Sequence, residues 1–347
     1  MYQVTSSHFT AFIHSFMRRF QATLFILLIS SAFPAMALSQ GYGDIERAFS
    51  QRKYDEAEAI LKAKLQANPL DDSAHYYLGR IPVQTRNVER YDEAIGHFTK
   101  CVELKPQSSI YHLWLGRAYG VKAQNAGVFS ALGYVGDVKS SFIRAVELDP
   151  RSFDARYDLI QFYLQAPGIV GGSDSKAEEV ANDYANINPE AAKLLWMAIY
   201  ANDEEYDKAE AQILSMKKPV EQGLQDQYQK SLSNAGFLCL KDEQPQRAER
   251  IFRKYVEQFP GLSLGYHGLG RSCFDQGRLD ECIPLFERAV GLDRTIGSQY
   301  RLGVVYQKKG EKEKAIKYLE EFVGLSPGGN AKVIDDAKER LEELRGN

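Results

Sequence analysis

Catalytic equipment is what this sequence has least of. Beyond the first 37 residues its histidines are His75, His97, His112 and His267, and no two stand at the interval that puts a metal-binding pair on one helix turn. There is no Gly-x-Ser-x-Gly elbow and no phosphate loop. The 4 cysteines include no Cys-x-x-Cys spacing, which argues against a zinc site and a thioredoxin-like redox motif. The sequence therefore offers no catalytic residue, no cofactor and no metal ligand to assign, and an enzyme is not expected. Charge of one sign is also scarce. Against 43 basic residues stand 46 acidic ones, for a net charge of -3, so no basic stripe meets the phosphates of a nucleic acid. No linker rich in proline, glycine or serine divides the chain after its first segment.

One apolar run is present, and its context defines it. Arg18 and Arg19 precede "FQATLFILLISSAF", and the small residues "AMA" follow, the layout of a Sec-type secretory signal peptide over residues 1–37 with cleavage expected after Ala37. The run is shorter than the ~20 residues of an ordinary spanning helix, so no membrane span is expected after cleavage. Met1 and Met17 are both candidate starts. No cysteine follows the run, which leaves a bacterial lipoprotein anchor unsupported. Losing two arginines and no acid moves the net charge from -3 to -5. A leader of this simple form points to the periplasm of a Gram-negative bacterium, or to secretion. In that oxidising setting the cysteines read either as disulfides or as small core residues, with Cys273 and Cys282 the pair to form if any does.

The rest of the chain repeats itself. "GLGRSCFDQGRLDECIPLFERAV" from Gly268 to Val290 returns 33 residues later as "RLGVVYQKKGEKEKAIKYLEEFV". Each has Leu-Gly (Leu269-Gly270, Leu302-Gly303), a small residue twelve past the glycine (Cys282, Ala315) and a large apolar residue four further on (Phe286, Leu319). Intervals of three and four mark one helical face, and Gly277 and Gly310 mark a turn between two helices. A single hairpin cannot bury its apolar face, so a period near ~34 residues argues for stacked neighbours.

This pattern resembles the tetratricopeptide repeat. Its small residue appears as Ala57, Ala94, Val138, Ala177, Ala209, Ala248, Cys282 and Ala315, and its large one as Leu61, Phe98, Phe142, Phe252, Phe286 and Leu319. A closing proline recurs as Pro69, Pro106, Pro150, Pro189, Pro260 and Pro327. The resemblance implies an all-α superhelical solenoid of about eight hairpins over residues 38–347, in units 38–71, 72–108, 109–152, 153–189, 190–228, 229–262, 263–295 and 296–329. The C-terminal capping helix is then 330–347, where Ile334, Ala337, Leu341 and Leu344 share one face. Ile160 and Met197 replace the expected glycine, and Pro82 inside a first helix is expected to kink or end it.

Two surfaces are candidates for binding. From the glycine column to the small residue, units two to four count 15, 22 and 17 residues instead of twelve, so equivalent turns should form one edge feature. The middle insert, "QNAGVFSALGYVGD", carries Phe129, Leu132 and Tyr134, and either folds onto the array or receives a partner. In "APGIVGGSDSKAEE" the glycines suggest an anion nest, or a loop before a helix with Ser175 and Glu178 as its capping box. The resemblance also implies that first helices line a concave face where peptides or partner helices bind. Directly after the glycine column stand Arg80, Arg117, Gln161 and Arg271, with Tyr76, Tyr157 and His267 one turn earlier, a pairing suited to carboxylate or peptide recognition. The asparagine-rich carboxylate clamp of chaperone-binding members is not reproduced. The expected function is a non-enzymatic, periplasmic scaffold for a protein or peptide partner, its oligomeric state open. The alternatives are a fixed subunit of a cell-envelope assembly and an enzyme whose site is built by the inserts.

Overall fold

The structure, a computed structural model, describes residues 42–294, 297–325 and 331–346. The expected leader, its cleavage site and Pro327 lie outside the described residues, among which there is no strand. The helices run in sequence as α1 (Gly43–Ser50), α2 (Tyr54–Ala67), α3 (Asp72–Thr85), α4 (Tyr91–Leu104), α5 (Ser109–Asn125), α6 (Val128–Leu148), α7 (Phe153–Gln165), α8 (Asp174–Ala185) and α9 (Pro189–Asn202). They continue as α10 (Tyr206–Ser215), α11 (Gln222–Lys241), α12 (Pro245–Gln258), α13 (Ser263–Asp275), α14 (Leu279–Leu292), α15 (Ser298–Lys308), α16 (Lys312–Leu325) and α17 (Ala331–Gly346). Two compact units result, one of residues up to Ala209 with Glu221–Leu224, the other of Glu210–Val220 with the residues from Gln225.

The same seam closes the hairpins in both units. A Cβ on Gly79, Gly116, Gly236 or Gly270 would stand only 2.6–2.8 Å from the ring of Phe98, Phe142, Phe252 or Phe286, and one on Gly303 would stand 2.5 Å from Leu319. Only glycine lets the two helices approach that closely, so the sequence column of glycines and the column of large apolar residues are two halves of one contact. The small residue of each second helix lies beside it. Ala57, Ala94, Ala177, Ala248, Cys282 and Ala315 are all fully buried. Where Ile160 replaces the glycine, its own side chain is buried in the seam instead.

Helix starts follow local chemistry. Asp71, Ser152 and Asn188 are extended or near-extended residues whose side chains accept the backbone N–H of Ala74, Ala155 and Ala191, capping α3, α7 and α9. The turn marked by Gly277 and Gly310 needs a left-handed residue, φ 77° and 75°, and the earlier hairpins place Arg52, Glu204 and Glu243 in that conformation. At the far end α17 lays Ala337 and Leu341 on Leu319 and Phe322, the one-sided cap its sequence implies.

Four sequence expectations are revised. Pro82 does not end its helix, since α3 runs on to Thr85. The proline lacks the N–H that would bond the Leu78 carbonyl, yet only three helical residues follow it, and Asn87 N–H donates back to the Pro82 carbonyl at 3.0 Å. Pro189 opens α9 at its first position rather than closing a hairpin, because α8 has already ended at Ala185. The cap of α8 is Ser173, not Ser175. Ser173 is the extended residue and accepts from Lys176 N–H at 3.3 Å, while Ser175 lies inside the helix. Finally, the 22-residue spacing of unit three is not a long loop: its residues lengthen α5 and α6, which turn sharply at Ala126 and Gly127. The neighbouring surpluses form short 3-10 turns at Val88–Arg90 and Gly168–Val170, the latter lying against α6.

Candidate functional site

At three junctions of the first unit the residue after the column position reaches forward to a residue two before the corresponding column of the next first helix. In unit one, Glu46 of α1 accepts the Tyr77 hydroxyl of α3 at 3.1 Å. One hairpin later Arg80 meets Trp114 of α5, its Cζ 5.0 Å from the ring centroid. The next step sets Arg117 of α5 on Asp158 of α7, with Nε donating to Oδ2 at 2.5 Å and Asp154 a further 3.4 Å partner. Hydroxyl to carboxylate, guanidinium to indole and guanidinium to carboxylate are all complementary pairs.

Arg80 is enclosed rather than presented. It is 4% exposed, with its guanidinium 5.0–5.5 Å from the rings of Phe49, Tyr76, Tyr77 and Trp114, and Tyr76 is itself buried. The Arg117 Cζ also lies 5.0 Å from the Trp114 ring centroid. Burial works against the charge of Arg117, but Asp158 and Asp154 outweigh it and hold it above its ordinary range. Asp158 is 2% exposed, and burial pushes its carboxyl up to about 6 against the pull of Arg117. Its Oδ1 has no hydrogen-bond partner among the described residues, nor has the Trp114 Nε1. Tyr157 stacks half-buried on Phe153, and the buried Gln161 accepts from Gln165 at 2.8 Å.

The second unit repeats the register with a different result. The residue two before Gly303 is Arg301, whose charge disfavours that of Arg271. Arg271 is half-buried over the Phe237 ring at 5.7 Å, and Arg301 lies over Tyr300 at 5.6 Å. Among the described residues neither has a carboxylate within ion-pair distance, and the Arg271 Nε is buried without a hydrogen-bond partner. Burial and then Arg301 pull Arg271 below its ordinary range, with only the exposed Asp275 opposing. His267, one turn before Arg271, shares a 2.8 Å hydrogen bond with the Ser298 hydroxyl. Burial, then Arg271 and Arg301, bring it down to about 3, so it is neutral at physiological pH.

The insert residues divide. Tyr134 stacks on Tyr119 of its own hairpin, centroids 6.2 Å apart, and Leu132 is 42% exposed. The Phe129 side chain lies outside the described residues. The glycine segment of unit four borders a cleft of about 530 Å³ walled by Tyr163, Ala166, Gly172, Asp174, Asn202 and Glu204, whose acids do not suit an anion nest. All four cysteines are free thiols; Cys101, Cys273 and Cys282 are buried, and burial raises the thiol of each above its usual range. Among the residues the sequence did not single out, Arg301 and Asp158 are the ones that decide what the arginine column does.

Stacked helical hairpins with a glycine–aromatic seam and a variable position beside it define a helical-repeat protein. Residues 45–90, 265–296 and 296–328 match models of the tetratricopeptide repeat, and the chain is a tetratricopeptide repeat protein. No curated protein matches it in sequence. Among solved structures it is similar to yeast Tom70, with a TM-score of 0.54 and 12% identity over 98% of this chain and 72% of that one. It also matches YrrB, described as a TPR protein with an unusual peptide-binding site, at TM-score 0.34 and 17% identity over 70% and 97% of the two chains. Pseudomonas aeruginosa pilF matches at TM-score 0.41 and 14% identity over 78% and 97%. At these identities the likeness is one of fold.

Proposed function

We propose that the protein is an exported, non-enzymatic scaffold of the periplasm that holds a protein or peptide partner on the first helices of its hairpins. A protein-interaction scaffold is the general role of the fold; the compartment and the surface are the further steps. One observation carries the choice of surface. The seam stays apolar while the position after it changes, through Glu46, Arg80, Arg117, Gln161 and Ala198 in the first unit and Phe237, Arg271 and Val304 in the second, so stacking is constant and side-chain chemistry varies along the first helices. Varying chemistry on a rigid, repeated frame is what recognition of an extended partner requires.

Export is checked by mass. The protein recovered from the periplasmic fraction should begin at Leu38, as the charged, apolar and small-residue regions of the leader require. An unprocessed chain in the cytosol would overturn the compartment and leave the binding surface to be judged by itself.

A further inference from the structure

Two of the four histidines beyond the expected leader meet, although the sequence sets them on different helices. His75 of α3 and His97 of α4 are half-buried, with their Nδ1 atoms 2.9 Å apart and their ring centroids separated by 5.2 Å. The outer contacts fix the tautomers. The His75 Nε2 lies 3.1 Å from the Pro69 carbonyl, and a carbonyl only accepts, so that nitrogen carries a hydrogen. At the matching place two hairpins on, Arg156 donates from Nε to the Pro150 carbonyl at 2.9 Å, the one direction open to an arginine. A neutral His75 therefore presents a lone pair at Nδ1, and His97 donates to it from its own Nδ1. This leaves the His97 Nε2 unprotonated, 3.8 Å from the Glu93 carboxylate.

We propose that His75 and His97 form an acid-sensitive clasp between the two helices of the second hairpin, one that holds with at most one added proton and opens at the second. It is independent of the scaffold reading. The first proton enters at the His97 Nε2, which keeps the Nδ1 donation and gains Glu93 as an opposing charge. A second has only the His75 Nδ1 to go to, where two N–H groups would meet head-on. The other titratable groups around the pair are engaged. Arg90, in the 3-10 turn before α4, holds both Glu93 and Glu58 of α2 at 2.8 Å, and Asp72 of α3 is held by Lys105 at 2.7 Å. The Cys101 thiol, one turn beyond His97, donates to the Asp72 carbonyl at 3.3 Å; on α5, Lys122 meets Asp92 at 2.7 Å and His112 faces the Pro106 carbonyl. Burial, then His75, keep His97 below its ordinary range against the pull of Glu93, so the closed clasp binds protons less readily than the open one. Its contribution to stability is thus present above ~6.5, the value of a free imidazole, and is lost as pH falls below it. The next hairpin lacks the device, because opposite His112 the register places Ser141.

Hydrogen exchange of the purified protein at about pH 7 and about pH 5, corrected for intrinsic rates, reads the clasp, with the histidine-free hairpin of α15 and α16 as internal reference. The open hairpin takes up two protons over this range and the closed pair at most one, so protection of α3 and α4 should fall at least about tenfold relative to the reference. His97→Gln should cut that loss to less than about threefold, because its amide oxygen accepts from a protonated His75 without conflict. His112→Gln should leave the loss as it is. Nitrogen NMR of the imidazoles in the unsubstituted protein gives a second reading that does not depend on a variant folding: at neutral pH His75 should carry its hydrogen on Nε2 and His97 on Nδ1. Protection of α3 and α4 unchanged by acid, an acid-induced loss that survives His97→Gln, or the opposite tautomers would overturn the proposal.

Discussion

Replacing Phe252 with alanine should destabilise the second compact unit by about 3–5 kcal/mol, the cost of deleting a fully buried aromatic side chain. The ring has no exposed surface, and it fills the space that Cβ atoms on Gly236 and Gly268 would otherwise occupy, at 2.6 and 2.2 Å. It also meets the Phe237 ring edge-on with centroids 4.9 Å apart. The alanine therefore opens a cavity on a seam shared by three helices, α11, α12 and α13, and the glycines that made room for the ring have no side chain with which to refill it. Urea unfolding followed by circular dichroism, with hydrogen exchange to locate the change, measures it. A loss below about 1 kcal/mol would mean that the glycine–aromatic seam is not what holds neighbouring hairpins together.

Asp158→Ala should cost the first unit a comparable amount, about 3–5 kcal/mol, because it leaves the Arg117 cation without its closest partner in a buried setting. Asp154, at 3.4 Å from a different nitrogen, offsets part of the loss but cannot replace the 2.5 Å contact to Nε. The double substitution Arg117→Met with Asp158→Leu should recover most of the stability, since removing both charges also removes both desolvation costs. Chemical denaturation of the two variants side by side gives the comparison. If the single change is nearly neutral, the pair is solvated and the Arg117 side chain is free to serve a partner.

Much of the fold could be read from spacing. Gly270 with Phe286 and Gly303 with Leu319 were paired sixteen residues apart, and the structure puts each glycine against that same side chain, because the contact lies within one hairpin. What spacing could not reveal lies between hairpins. Arg80, Arg117 and Arg271 look alike in a column, but their environments are set by Trp114, Asp158 and Arg301, each on the following first helix and 30 or more residues away. A second register, two residues before the glycine, was available in the sequence and separates an enclosed cation from a neutralised one. The insert of unit three failed for another reason. Surplus residues in a repeat count equally well as loop or as extra helical turns, and "VFSALGYVGDVKSSF" took the second course, with Gly127 marking the turn.

The central claim is that a partner lies on the first helices of the hairpins. Photo-cross-linking in the native envelope tests it most directly, with a photoreactive residue at Asp275, exposed one turn beyond Arg271 on α13, and in a separate protein at Arg253, exposed on the second helix α12. The account predicts a discrete cross-linked protein from position 275, lost when Arg271→Gln is added, and none from position 253. The same product from both positions, or from 253 alone, would contradict it.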